Sequence, residues 1–159
     1  DTATTEIYTS LFVGSVNVYK RQDQWDGARF PIKADVDVRP EDLSGQSLVL
    51  VGSPSSNAVT ALFATSLPVR FEAGALVLRG QRYEGPDVGV SLIYPHPRDA
   101  GEYVVLHAGL SPRAVLASRH LPQLAPDYLV YDRGIASARS GLLLGERSVP
   151  RGFFDEGWK

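Results

Sequence analysis

The residues best suited to chemistry stand together in Gly52-Ser53-Pro54-Ser55-Ser56-Asn57. Three hydroxyls and an amide directly after an apolar run suit a ligand bearing a carboxylate, phosphate or carbonyl oxygen. A helix starting there would add unpaired amide N–H groups and the positive end of its dipole. The plainer alternative is that Ser53 caps the helix, Pro54 takes its first position and the remaining polar groups face water. On that alternative Ser53→Ala costs about 1 kcal/mol for a lost cap. The segment has neither the glycine pattern of a dinucleotide fold nor the lysine of a phosphate loop. It also differs from the Gly-x-Ser-x-Gly elbow, and Pro54 removes the amide that an oxyanion hole would take from the residue after Ser53.

The three histidines extend the candidate set. His96 follows a strand end, His107 closes another strand and His120 falls late in a helix. His96 and His107 are expected to meet the Ser53 turn at one carboxyl edge, where open α/β sheets bind ligands. A metal there would need a third ligand from Asp99, Glu102 or Asp132, but the spacing matches no metal motif. No metal or cofactor is expected. The plainer roles are a buried, hydrogen-bonded structural histidine for His107 and a helix-dipole contact for His120. Asp35/Asp37 and Glu41/Asp42 read as solvated faces and a helix start rather than an acid/base pair.

These residues need elements to hold them. Leu48–Val51 is a continuous apolar run, as in a strand covered on both faces, and Val59, Leu62, Phe63 and Leu67 mark one face of a helix ended by Pro68. Val69–Phe71 and Leu76–Leu78 flank Glu72-Ala73-Gly74-Ala75, a hairpin pattern. Strands are expected over Val88–Tyr94, Tyr103–His107 and Tyr128–Tyr131. After His107 the pattern repeats: Ala108-Gly109-Leu110 leads into Ser111-Pro112-Arg113 and a helix over Ala114–His120. Two strand–turn–Ser-Pro–helix units predict an α/β domain, small, three-layered and Rossmann-like, with a partly parallel central sheet and a β-hairpin insertion.

Residues 1–40 read as a less regular β and loop segment. Ile7–Tyr19 suits a bent strand or hairpin, Arg21–Phe30 a loop, Lys33–Val38 an alternating stretch, and Arg39–Leu43 a single helical turn. The tail from Ser137 to Lys159 is expected to pack its aromatics Phe153, Phe154 and Trp158 on the body.

The 159 residues fit one domain, 43% hydrophobic and 21% charged, which argues against wholesale disorder. A net charge of -2 with scattered basic residues argues against a nucleic-acid surface, and no apolar run approaches the roughly 18 residues of a membrane span. The chain has no cysteine, which excludes disulfides, thiolate catalysis and cysteine zinc sites and suits a place outside the cytoplasm. It opens at Asp1 with no methionine anywhere, so a processed or excised origin is expected.

Residues from about Val36 to Gly109, and again Gly152 to Trp158, resemble the carboxyl-terminal region of bacterial secreted prolyl-oligopeptidase-like α/β-hydrolase proteins. The resemblance is carried by Gly52-Ser53-Pro54-Ser55-Ser56-Asn57, Leu67-Pro68-Val69-Arg70, Tyr94-Pro95-His96-Pro97, Tyr103-Val104-Val105-Leu106-His107-Ala108-Gly109 and Gly152-Phe153-Phe154-Asp155-Glu156-Gly157-Trp158. It covers about half of the chain, and its motifs are moderately specific together and weak singly. His96 and His107 stand where the family pattern has asparagine. The family's catalytic machinery lies in a preceding hydrolase domain, so the resemblance implies an accessory segment.

Three functions follow as expectations. The first is a non-catalytic accessory domain that binds a partner domain, a partner chain or a small anionic or polar ligand, associated with an extracytoplasmic hydrolase. Its expected ligand-binding residues are Ser53, Ser55, Ser56, Asn57, His96, His107, Ser111 and Arg113. The second is a small serine-dependent hydrolase pairing a turn serine with His96 or His107. The third is a structural or assembly protein of a surface layer or filament.

Overall fold

A computed structural model of the chain describes residues 10–13, 31–121, 125–132, 134 and 150–159. The expected loop over Arg21–Phe30 and most of the expected strand over Ile7–Tyr19 lie outside the described residues, as does the tail from 137 to 149.

Among the described residues the strands are β1 (Ser10–Val13), β2 (Ile32–Lys33), β3 (Ser47–Val51), β4 (Val69–Glu72), β5 (Ala75–Leu78), β6 (Gln81–Glu84), β7 (Gly89–His96), β8 (Asp99–Gly109), β9 (Tyr128–Tyr131) and β10 (Arg151–Gly152). The helices are α1 (Ala58–Phe63) and α2 (Pro112–Ala117), with 3-10 turns at Asp35–Asp37, Pro40–Leu43 and Ser118–His120. One sheet runs in the order β10-β9-β7-β8-β3-β1-β2, and a second, three-stranded sheet runs β4-β5-β6.

The Rossmann-like three-layer expectation is corrected here. Strand outweighs helix, 40% against 21%, and the chain forms two sheets rather than a sheet between helical layers. The physical cause lies at two connections. Between β7 and β8 stand only Pro97 and Arg98, a hairpin link far too short for a crossover helix, so these two long central strands are antiparallel. After α1 the chain builds the second sheet, β4 to β6, instead of returning directly to the first. Each α-helix has six residues, under two turns. The strand–turn–helix pattern is locally present, but its helices are too short to make layers.

Pairing in the large sheet is mixed. β3 is parallel to both β1 and β8, while β7 is antiparallel to β8 and β9. The register sets Leu48 beside Val104 and Leu50 beside Leu106, and Leu106 in turn faces Leu92. These four leucine and valine partners on β3 and β8 are fully buried, and each contributes about 1.5–3 kcal/mol by leaving water, an upper bound on an extended-chain reference. The same face carries Val90 and Val130 and packs against Val59 and Phe63 of α1 and Val69, Leu76 and Leu78 of the small sheet. On the opposite face Leu129 and Tyr131 pack with Ala117 and Leu121 of the α2 segment. There α2 comes very close: a side chain at Gly109 would meet Ala114 Cβ at 2.6 Å, and Tyr131 donates its hydroxyl to the Ala114 carbonyl at 3.1 Å.

Several local readings change. The helix expected as far as Leu67 stops at Phe63, and Leu62 is half exposed rather than on its buried face. The alternation of Lys33–Val38 becomes a two-residue strand and a 3-10 turn, leaving Val36 on the surface. The polar strand Gln81–Glu84 carries no apolar signal, yet β5 supplies it with a full register of partners. Pro95 lies inside β7, where β9 no longer runs alongside, and a bare strand edge tolerates a residue without N–H.

Candidate functional site

Gly52 opens the turn after β3 at φ 123, and a Cβ there would lie 2.8 Å from Ser56 Oγ and 3.2 Å from Asn57 Cβ. Only glycine allows both the backbone angle and that approach. Its amide donates to the carbonyl of His107 at 2.9 Å, continuing the β3–β8 pairing by one residue.

The turn then closes on itself. The amides of Ser56 and Asn57 donate to the Ser53 carbonyl at 2.9 and 3.0 Å. Ser53 Oγ shares a 2.9 Å hydrogen bond with Ser55 Oγ and a longer one with Ser56 Oγ. Asn57, not Ser53, caps α1: its Oδ1 accepts from the amides of Val59 and Thr60, and its Nδ2 donates to the Val51 carbonyl at 3.1 Å. The remaining amide at the helix start, Ala58 N–H, donates to Asp35 Oδ2 at 2.7 Å. The helix therefore starts one turn later than the Ser-Pro pair suggests. Its first amides are held by Asn57 and by a carboxylate of the protein itself, the position an anionic ligand would occupy.

The second turn does follow its sequence pattern. Ser111 accepts from the Ala114 amide at 3.1 Å, with Pro112 in the first helical turn. Arg113 lies on the surface, 3.7 Å from an oxygen of Asp87. The two turns leave neighbouring parallel strands at one edge of the sheet, but α1 and α2 then cover opposite faces.

The histidines do not meet. His107 pairs with Ser91 of β7, whereas His96 closes β7 at the hairpin beyond it. Five residues of strand at about 3.4 Å each put them roughly 17 Å apart along β7. His96 packs edge-on against Phe63, with ring centroids 5.4 Å apart, and its Nδ1 accepts from the Arg98 amide at 3.0 Å. Burial lowers its pKa, opposed by the nearby Asp99 and Glu102 carboxylates. His107 keeps part of its residue surface, yet Nδ1 is out of contact with solvent and, among the described residues, has no hydrogen-bond partner. The hydrogen-bonded structural role expected of it is not met at that atom. Desolvation pushes its pKa down to about 4, so the ring is neutral at pH 7. His120 accepts at Nε2 from Arg119 Nε in the closing 3-10 turn.

The acidic residues near these histidines have structural partners. Asp99 accepts from the amides of Gly45 and Gly101, which hold its carboxyl below the usual range. Glu102 accepts from Ser47 Oγ at 2.6 Å. Among the described residues no group of three His, Cys, Asp or Glu is placed to hold a metal ion, and no helix is long and apolar enough to cross a membrane. Among the same residues no hydrogen bond joins a turn serine to a histidine, and His107 has no carboxylate orienting Nδ1.

Sequence reasoning missed Asp35 as the partner of α1, since the two are 23 positions apart. It also missed a depression that runs from the β5–β6 turn to the start of β9 and includes Arg79, Tyr83 and Tyr128. The Arg79-Gly80 pair was its visible trace. Compared with known protein families and with curated proteins, the chain matches none.

Proposed function

We propose that this chain is a non-catalytic accessory domain, associated with an extracytoplasmic hydrolase, that acts by binding a partner domain or chain. One observation supports the non-catalytic reading above all: the strand-end turn has committed its polar groups to its own fold. Ser53 is engaged with the hydroxyls of Ser55 and Ser56, Asn57 with Val51, Val59 and Thr60, and the Ala58 amide with Asp35. A nucleophilic serine needs a base within hydrogen-bond reach and a third group to orient it, and among the described residues this turn has neither. Association with a hydrolase rests on the resemblance carried by the Gly52–Asn57, Tyr94–Pro97 and Gly152–Trp158 segments.

The serine-hydrolase alternative is tested with a fluorophosphonate probe and p-nitrophenyl acetate. The expected result is no covalent label and no turnover above buffer; a label on Ser53, Ser55 or Ser56 would overturn the proposal. The reading frame upstream of Asp1 tests the association, with an α/β-hydrolase domain expected there. An unrelated upstream domain would remove that part of the proposal.

A further inference from the structure

A depression of about 290 Å³ lies between the tip of the small sheet and the outer strands of the large one. Arg79 and Tyr83 line it from the small sheet and Tyr128 from the start of β9, with Leu78 and Pro150 as apolar wall; Arg151 of β10 also borders it, but it pairs with Leu129, so its side chain takes the face opposite Tyr128. Among the described residues no carboxylate lines it. The acidic neighbours point elsewhere: Glu84 follows Tyr83 on β6 and so takes the other face, where Arg82 binds both Glu84 and Glu72.

Arg79 sits at φ 51, a backbone region that a side chain other than glycine enters only under strain. Its Nη1 donates to Tyr128 Oη at 3.4 Å and to the Phe153 carbonyl at 3.2 Å, and its guanidinium stacks over the Tyr128 ring at 5.5 Å. Those contacts explain Arg79 as a tie between the sheets, but they use one nitrogen. Among the described residues Nε and Nη2 have no acceptor, and no carboxylate pairs with Arg79. Tyr128 accepts from Arg79, so its own proton is available to donate. Among the described residues the Tyr83 hydroxyl likewise has no hydrogen-bond partner, and burial raises its pKa, which keeps it a donor.

We propose that this depression binds a carboxylate-bearing ligand, gripped by Arg79 Nε and Nη2 and by the hydroxyls of Tyr83 and Tyr128. A guanidinium fork matches a flat carboxylate. The apolar wall and the two phenol rings suit an organic group carrying it rather than a bare inorganic ion. The site stands independently of the accessory function.

The test is a titration of the full chain with benzoate, followed by amide chemical shifts at low salt, with inorganic phosphate as the comparison. Saturable shifts confined to the residues around Arg79, Tyr83 and Tyr128 are expected. Tyr83→Phe removes a hydroxyl without a partner among the described residues; it should leave the melting temperature unchanged and weaken benzoate about tenfold, the size of one hydrogen bond to a charged group. Arg79→Ala should abolish saturation, and Tyr83→Phe keeps the test valid if Arg79→Ala does not fold. Absence of saturable shifts, insensitivity to Tyr83→Phe, or phosphate binding as tightly as benzoate would each overturn the assignment. A hexaglutamate peptide then separates the sources: tighter binding than benzoate identifies an acidic polypeptide segment, and weaker binding a free small carboxylate.

Discussion

Asp35 does at the start of α1 what a bound anion would do, satisfying the Ala58 amide with a carboxylate at 2.7 Å. His107 carries a cost that is felt only in acid. Its ring is neutral in the folded chain because burial holds the pKa near 4, below the ordinary 6.5. Above pH 6.5 the folded and unfolded chains both carry it neutral, and its titration adds nothing. As pH falls from 6.5 towards 4 the unfolded chain takes up a proton that the folded chain refuses, so stability declines through that window. His96, whose pKa is also lowered, acts in the same direction. His107→Asn should therefore flatten the fall in urea midpoint between pH 7 and pH 4.5, with His96 leaving a residual slope. An unchanged slope would mean that His107 is solvated and free to titrate.

At the scale of elements, the β3–α1 connection depends on Asn57 more than on any serine. Asn57→Ala removes two cap bonds and the tie to Val51, and should cost about 2 kcal/mol, the upper end of measured caps. Ser53→Ala removes only hydroxyl–hydroxyl contacts and should cost less, about 0.5 kcal/mol. Chemical denaturation of the two variants decides the order, and equal losses would return the cap to Ser53. The C-terminal segment is a second such element. Phe154 and Trp158 pack on Tyr94 with ring centroids 5.5 and 5.8 Å apart, the Tyr94 hydroxyl donates to the Trp158 carbonyl, and the Phe154 amide donates to Asp127. Trp158→Ala should lower stability by about 2 kcal/mol, less than a fully buried aromatic because Trp158 keeps some exposure. A melting temperature equal to that of the parent chain would show that the aromatics do not hold the segment down.

At the scale of the whole molecule, two sheets share one core, and the helices that follow the two strand-end turns cover opposite faces of the large sheet. Much of the local structure was legible in the sequence. Leu48–Val51 and Tyr128–Tyr131 are strands because runs of apolar and β-branched residues favour nothing else at that length, and Ser111-Pro112 starts a helix through chemistry confined to four residues. The docking of Phe154 and Trp158 was legible too, since exposing them would be costly, but Phe153, expected to pack beside them, stands on the surface. Other features were not, because their determinants are distant in the chain. Gln81–Glu84 becomes a strand only because β5 offers it a register, and α1 starts at Ala58 only because Asn57 and Asp35 are both in place. The β7–β8 hairpin moved His96 to the end opposite His107, since the direction of a strand follows from its connection and not from its own residues. The sequence by itself determined which segments are strand or helix and which residues want burial, because propensity and periodicity act over a few positions. Only the tertiary structure decided how those segments are ordered and which side chains meet, because pairing and charge satisfaction join residues that the chain keeps far apart.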